Sequence, residues 1–130
     1  MPSFGSSSRR QLETCDPRLR QVFEEIVQHF DCTVLCGYRN EEDQNKAFNL
    51  GRSKVRYPDG KHNVNPSRAV DVAPYPIDWE NLDRFYYFAG YVMNEARNQG
   101  ICLRWGGDWD SDTEVSDNGF NDLVHFELVE

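Results

Sequence analysis

No stretch of the 130-residue chain approaches the roughly 18 apolar residues of a membrane-spanning helix. The opening run, Met1-Pro-Ser-Phe-Gly-Ser-Ser-Ser-Arg-Arg, lacks the apolar core of a secretory signal. The expectation is a protein made in the cytoplasm without membrane insertion, which reaches any site outside only when something else releases it. Basic residues are also in short supply. With 14 Lys and Arg against 22 Asp and Glu, the formal net charge is −8. That leaves no basic stripe for phosphate backbones and excludes nucleic acid as a partner. The four cysteines, Cys15, Cys32, Cys36 and Cys102, contain no CxxC pair. They read as free, mostly buried thiols; a zinc knot using Cys32 and Cys36 is the weaker reading.

No internal repeat or low-complexity linker divides the sequence, so residues 1–130 are expected to form one domain, with residues 1–10 a mobile arm. Asp16-Pro17 is a helix start, with Asp as the cap and Pro in the first turn. Leu19, Val22, Phe23, Ile26, Val27 and Phe30 follow at helical spacing. His29 falls near the end of this helix, where it favours the negative end of the dipole and is not read as a ligand. Residues 32–37 read as a buried strand that delivers Tyr38-Arg39-Asn40 to its end. Asn40 is placed to cap a second helix that Gly51 stops, and residues 52–61 read as loop. Residues 67–73 carry a short strand, Asp78 is placed to cap a long helix ending at Gly100, and residues 101–105 and 124–129 read as further strands. In the last strand, Val124, Phe126 and Leu128 face the core, and His125 and Glu127 the other side. The fold class is α+β, a small, mostly antiparallel sheet packed with helices.

Histidine is scarce, and its placement is informative. Of three histidines, His62 and His125 combine with Asp71 as two imidazoles and a carboxylate. That set can hold one Zn²⁺ and leave a fourth position open, the layout of catalytic rather than structural zinc. Asp71 sits inside the apolar run Ala69-Val-Asp-Val, where a carboxylate is costly unless a cation compensates it. Asp122, three residues before His125, is a candidate general base. A regular strand would put the two on opposite faces, so they converge only if residues 121–123 are turn or bulge. Glu127 is the rival base, or a partner that orients a ligand imidazole. Arg39 can bind a substrate carboxylate or stabilise an oxyanion. Asp108, Asp110, Asp112 and Glu114 alternate like part of a calcium loop, without the full twelve-residue pattern. A solvated acidic loop is the preferred reading there, with Ca²⁺ the alternative.

The segments Leu12-Glu-Thr-Cys-Asp-Pro, Cys36-Gly-Tyr-Arg-Asn, His62-Asn, Pro66-Ser-Arg-Ala-Val-Asp-Val-Ala-Pro-Tyr-Pro-Ile-Asp-Trp, Arg104-Trp-Gly-Gly-Asp-Trp and Asp122-Leu-Val-His-Phe-Glu-Leu span nearly the whole chain. At these residues the chain resembles the zinc D-Ala-D-Ala carboxypeptidase and L-alanyl-D-glutamate endopeptidase family, and looks most like the small endolysins of tailed bacteriophages. The resemblance implies a single domain of the zinc D,D-peptidase (hedgehog-like) type. It also implies His62, Asp71 and His125 as zinc ligands, Asp122 as catalytic base and Arg39 near the substrate carbonyl. The implied partner is the stem peptide of bacterial peptidoglycan, cut by a monomer at the L-Ala–D-Glu bond during phage lysis. A D-Ala-D-Ala carboxypeptidase is the nearest alternative, and a non-catalytic zinc-stabilised wall-binding module the more distant one. Two departures stand out. Gly60 replaces the family's Ser, and the step from His62 to Asp71 is nine residues rather than seven.

Overall fold

A computed structural model describes residues 1–116 and 121–129. Its elements run α1 (Ser6–Leu12), α2 (Pro17–His29), β1 (Cys32–Cys36), α3 (Glu41–Asn49), a 3-10 turn (Lys61–Asn63), β2 (Ala69–Pro74), α4 (Leu82–Asn98), β3 (Leu103–Trp105) and β4 (His125–Leu128). The strands form one antiparallel sheet in the order β1-β2-β4-β3. This is the expected α+β class.

Local chemistry sets most boundaries. The Asp16 carboxylate accepts the Arg18 backbone N–H at the start of α2, with Pro17 in the first turn. Asn40 caps α3 through the Asp43 N–H, and Gly51 leaves that helix in the left-handed region at φ +77°. At the start of α4 the expectation needs correcting. The cap is Asn81, whose side chain accepts the Arg84 N–H, whereas Asp78 accepts the Glu80 N–H in a tight turn of its own. A short polar side chain that bonds two residues ahead favours such a turn over a helix start.

One face of the sheet is the core. Phe126 and Leu128 of β4 and Val70 and Val72 of β2 pack with the apolar faces of α2 and α4. The Phe126 ring lies edge-on to Phe23 of α2, 5.5 Å between centroids, and to Phe88 of α4 at 6.2 Å. The residues between them, Asp71, His125 and Glu127, alternate to the opposite face. A β-bulge at Leu35 breaks the β1–β2 register, because Val34 pairs with Val72 but Cys36 with Asp71. The bulge re-aims the end of β1 and carries residues 37–39 across the polar face.

The N-terminal segment differs from its expected arm. Residues 6–12 are helical, and α1 lies along the outer edge of β1. The buried Ser8 hydroxyl accepts the Val34 N–H at 3.0 Å, giving an edge-strand donor the partner that no neighbouring strand supplies. Two of the cysteines, Cys15 and Cys32, are buried; Cys36 is partly covered and Cys102 exposed. Burial pushes the Cys15 and Cys32 thiols up to about 12, which keeps them protonated. Ser8→Ala orphans the Val34 N–H and is expected to cost about 1–3 kcal/mol of unfolding free energy in urea denaturation. An unchanged midpoint would mean that the Ser8–Val34 hydrogen bond contributes nothing to holding β1.

Candidate active site

The polar face of the sheet brings together the three predicted ligands. Asp71 and His125 are direct cross-strand partners on β2 and β4. His62 comes from the 3-10 turn, a more ordered position than the loop expected for it. His62 Nε2 lies 3.2 Å and His125 Nδ1 3.3 Å from the same oxygen, Asp71 Oδ1. The three donor atoms all fall within 4.8 Å of one another. The side chains are nearly enclosed, with 4% of His62 and 9% each of Asp71 and His125 exposed.

Each imidazole is oriented from behind. His62 Nδ1 is 2.7 Å from the Gly37 carbonyl, which takes its N–H and leaves Nε2 facing the centre. His125 is turned the other way, with Nε2 2.8 Å from Glu127 Oε1 and Nδ1 facing Asp71. Glu127 is itself held by Lys61 Nζ at 3.3 Å and Arg104 Nε at 3.7 Å. Rival base and orienting partner were both open to Glu127 on sequence alone, and its contacts are those of the orienting partner. Ligand imidazoles characteristically carry such a second hydrogen bond, which fixes the tautomer and raises basicity.

The donor chemistry suits a divalent cation. Burial opposes ionisation of Asp71, but the charges and hydrogen bonds of His62 and His125 override it and hold its carboxyl well below the usual range. Burial likewise opposes a charged His62, yet Asp71 pushes it up to about 10. His125 is raised in the same way, and Glu127 is lowered, since the His125 bond and Lys61 outweigh its burial. Positive charge beside Asp71 is therefore what the site demands. Two neutral nitrogens and one carboxylate oxygen form a donor set that fits Zn²⁺, the metal taking the place of protons.

Arg39 enters from the end of β1. Its Nη2 donates to Asp71 Oδ2 at 3.2 Å and its Nη1 to Gln44 Oε1 at 3.1 Å. Nothing in the sequence singles out Gln44. It is only 1% exposed, and its Nε2 donates to Ser53 Oγ at 2.9 Å and the Val55 carbonyl at 2.7 Å. Asn63, beside His62, donates to the same Gln44 Oε1 at 3.3 Å and to the Arg39 carbonyl at 2.9 Å. One buried amide thus ties α3, Arg39, the 3-10 turn and the loop after Gly51.

The departures at Gly60 and in the step to Asp71 have local causes. A Cβ at Gly60 would stand 2.7 Å from Asn63 Oδ1, the atom that accepts the Gly60 N–H at 2.8 Å. The added residues before Asp71 form a loop closed by the Arg68 N–H on the Lys61 carbonyl at 3.0 Å.

Asp122 reaches the site through a turn, as its spacing from His125 requires. The His125 N–H donates to the Asp122 carbonyl at 3.1 Å, and Gly106 exchanges hydrogen bonds with both, through its carbonyl to Asp122 N and its N–H to His125 O, each 2.8 Å. A Cβ at Gly106 would collide with the Asp122 carbonyl, so glycine permits this close approach. The preceding run, residues 117–120, lies outside the described residues. Burial first, then the Asp71 charge, push the Asp122 carboxyl up to about 6. Trp109 covers His125, with ring centroids 5.4 Å apart.

Two cavities open onto this face. One, of about 450 Å³, is lined by His62, His125, Glu127, Trp109 and the cationic side chains of Arg39, Arg52, Lys54 and Lys61. The other, of about 740 Å³, includes Asp71, Leu35, Trp79 and Val124. Away from them, carboxylate oxygens of Asp108, Asp110 and Asp112 lie close together, and they accept backbone N–H groups of residues 112–114. Glu114 is outside that group.

The family model described as phage L-alanyl-D-glutamate peptidase matches residues 2–129. The L-alanyl-D-glutamate peptidase of Escherichia phage T5 is 30% identical over 134 residues, covering 97% of each protein. The crystal structure of the Serratia marcescens L-Ala D-Glu endopeptidase ChiX is similar with a TM-score of 0.75 and 25% identity, over 98% of this chain and 90% of that one. With the match running from end to end, the chain belongs to the phage L-alanyl-D-glutamate peptidase family.

Proposed function

We propose that the chain is a zinc-dependent endopeptidase of the phage endolysin type that hydrolyses the L-Ala–D-Glu bond of peptidoglycan stem peptides. The observation that carries this reading is the convergence of His62 Nε2, His125 Nδ1 and Asp71 within 4.8 Å at a cleft bordered by Arg39 and Asp122. All of these groups come from one chain, which supports a monomer acting as a single peptidase domain. Among the described residues no helix is long and apolar enough to cross a membrane. The enzyme is read as being made in the host cytoplasm and acting on the wall after release. The acidic loop at Asp108 is read as solvated, because its carboxylates are already engaged by its own backbone.

Zn²⁺ held by His62, Asp71 and His125 would polarise the scissile carbonyl and bring the pKa of water toward neutrality. The chain's own groups do the rest. Asp122 takes a proton from the attacking water on a carboxylate oxygen and returns it to the amine nitrogen as the peptide C–N bond breaks. Burial, which disfavours the charged form of the Asp122 carboxyl, suits both tasks better than the setting of an ordinary surface aspartate. Arg39 stabilises negative charge that develops on the carbonyl oxygen, its guanidinium held in place by Gln44 and Asp71. Glu127 and the Gly37 carbonyl keep both imidazoles aimed inward.

Mass spectrometry of peptidoglycan digested by the zinc-loaded protein tests the reading. New N-terminal D-Glu is expected, and release of free D-Ala would indicate a carboxypeptidase instead. Asp122→Ala should retain stoichiometric zinc and lose about 10²–10⁴ in kcat. Near-normal turnover would remove Asp122 from its role.

Asp122 also makes a stability prediction. Its folded pKa lies above the roughly 3.9 of an unfolded aspartate. Between about pH 4 and 6, Asp122 holds more of its proton in the folded metal-free protein than in the unfolded chain, so its own contribution to stability falls as pH rises. Asp122→Asn should therefore stabilise the metal-free protein above about pH 6, by on the order of 1 kcal/mol after allowance for partial exposure. The gain should vanish below about pH 4, where both side chains are neutral. Thermal melts across that range check it. Separately, Glu127→Gln should weaken zinc binding about 10- to 100-fold in a chelator competition, by slackening His125.

A further inference from the structure

Three side chains border both cavities: Arg39, Asp122 and Arg52. Arg39 is committed to Asp71 and Gln44. Lys61, another cation of the cleft, donates to the Leu128 carbonyl at 2.6 Å and pairs with Glu127. The Arg52 side chain is exposed and has no ion pair among the described residues.

Its backbone, in contrast, is fixed. Arg52 follows Gly51 at the end of α3, and its N–H donates to the Ala47 carbonyl at 2.9 Å. The next residues are tied down by Gln44, through Ser53 Oγ and the Val55 carbonyl. The same amide accepts from Arg39, so the two arginines are referenced to one buried anchor. A guanidinium on a fixed backbone at the rim of a cleft is suited to bidentate capture of a carboxylate. Such a device has a purpose in a chain of net charge −8, which otherwise repels anionic ligands.

The proposed substrate carries such a group, and this inference rests on that reading. A glutamate acylated by alanine on its nitrogen and extended through one carboxyl group keeps the other carboxyl free. Whichever carboxyl carries the chain onward, an anion stands within one residue of the scissile bond. We propose that Arg52 receives this free glutamate carboxylate and so determines specificity on the leaving-group side of the cleft. Arg39 and Asp122 border the same two cavities, where the proposed chemistry places the scissile bond.

The test uses the zinc-loaded full chain and two synthetic acyl-L-Ala-D-Glu peptides, identical except that the free glutamate carboxyl is left ionised or converted to the amide. The unmodified protein should prefer the carboxylate peptide in kcat/KM. Arg52→Ala should lower that preference about 10- to 100-fold, the size of a lost charged hydrogen-bonding pair. An undiminished preference would overturn the proposal. Calorimetric binding of the two amine-terminated product peptides supplies a readout that needs no turnover. If neither peptide is cut but Arg52→Ala erases a binding preference for the carboxylate product, the cleavage reading fails and the carboxylate site stands. If binding shows no preference in the unmodified protein, the site is refuted even where cleavage proceeds.

Discussion

A carboxylate on an interior strand is the constraint from which this site follows. Asp71 is flanked by apolar residues on β2, shielded from water, and unable to remain ionised there without positive charge at close range. Two imidazoles and the Arg39 guanidinium supply it. Several other polar groups of the region serve this cluster directly or at one remove. The Gly37 carbonyl and Glu127 aim the rings, while Gln44 steadies the arginine.

The scaffold holds these groups with little apolar packing of their own. Phe126, Val70 and Val72 are clamped between α2 and α4 on the core face, and the polar face inherits that rigidity through the backbone they share. The periphery depends on hydrogen bonds. Gln11 and Thr14 bind the backbone of Gly37 and Tyr38, so the segment that carries Arg39 is pinned by residues far earlier in the chain. A Cβ at Gly37 would strike both the Thr14 hydroxyl and the Gln11 carbonyl, which explains a glycine where the strand leaves the sheet.

Much of this was legible in the sequence because it rests on short-range rules. Period-3.6 apolar faces located α2 and α4, period-2 alternation put His125 and Glu127 on the face away from Phe126, and a buried aspartate advertised a missing cation. The turn needed to bring Asp122 round to His125 is present, held by Gly106. What escaped depended on partners distant in sequence. Residues 6–12 look like a polar arm because their helix is stabilised by covering an edge strand, a context that composition does not reveal. Gln44 looks like an ordinary helix surface residue, since its four partners lie in three separate segments. Asp78 and Asn81 are both competent caps, and only the preceding turn decides between them.

The alternation along β4 couples two properties that usually vary separately. Phe126 and Leu128 are interleaved residue by residue with His125 and Glu127. Because a strand has a period of two, losing or gaining one residue there would exchange the faces, turning a phenyl ring toward the cleft and an imidazole into oil. Such a length change would abolish hydrolysis and folding together, whereas point substitutions can separate them. Over these four positions the number of residues is as binding a constraint as their identity.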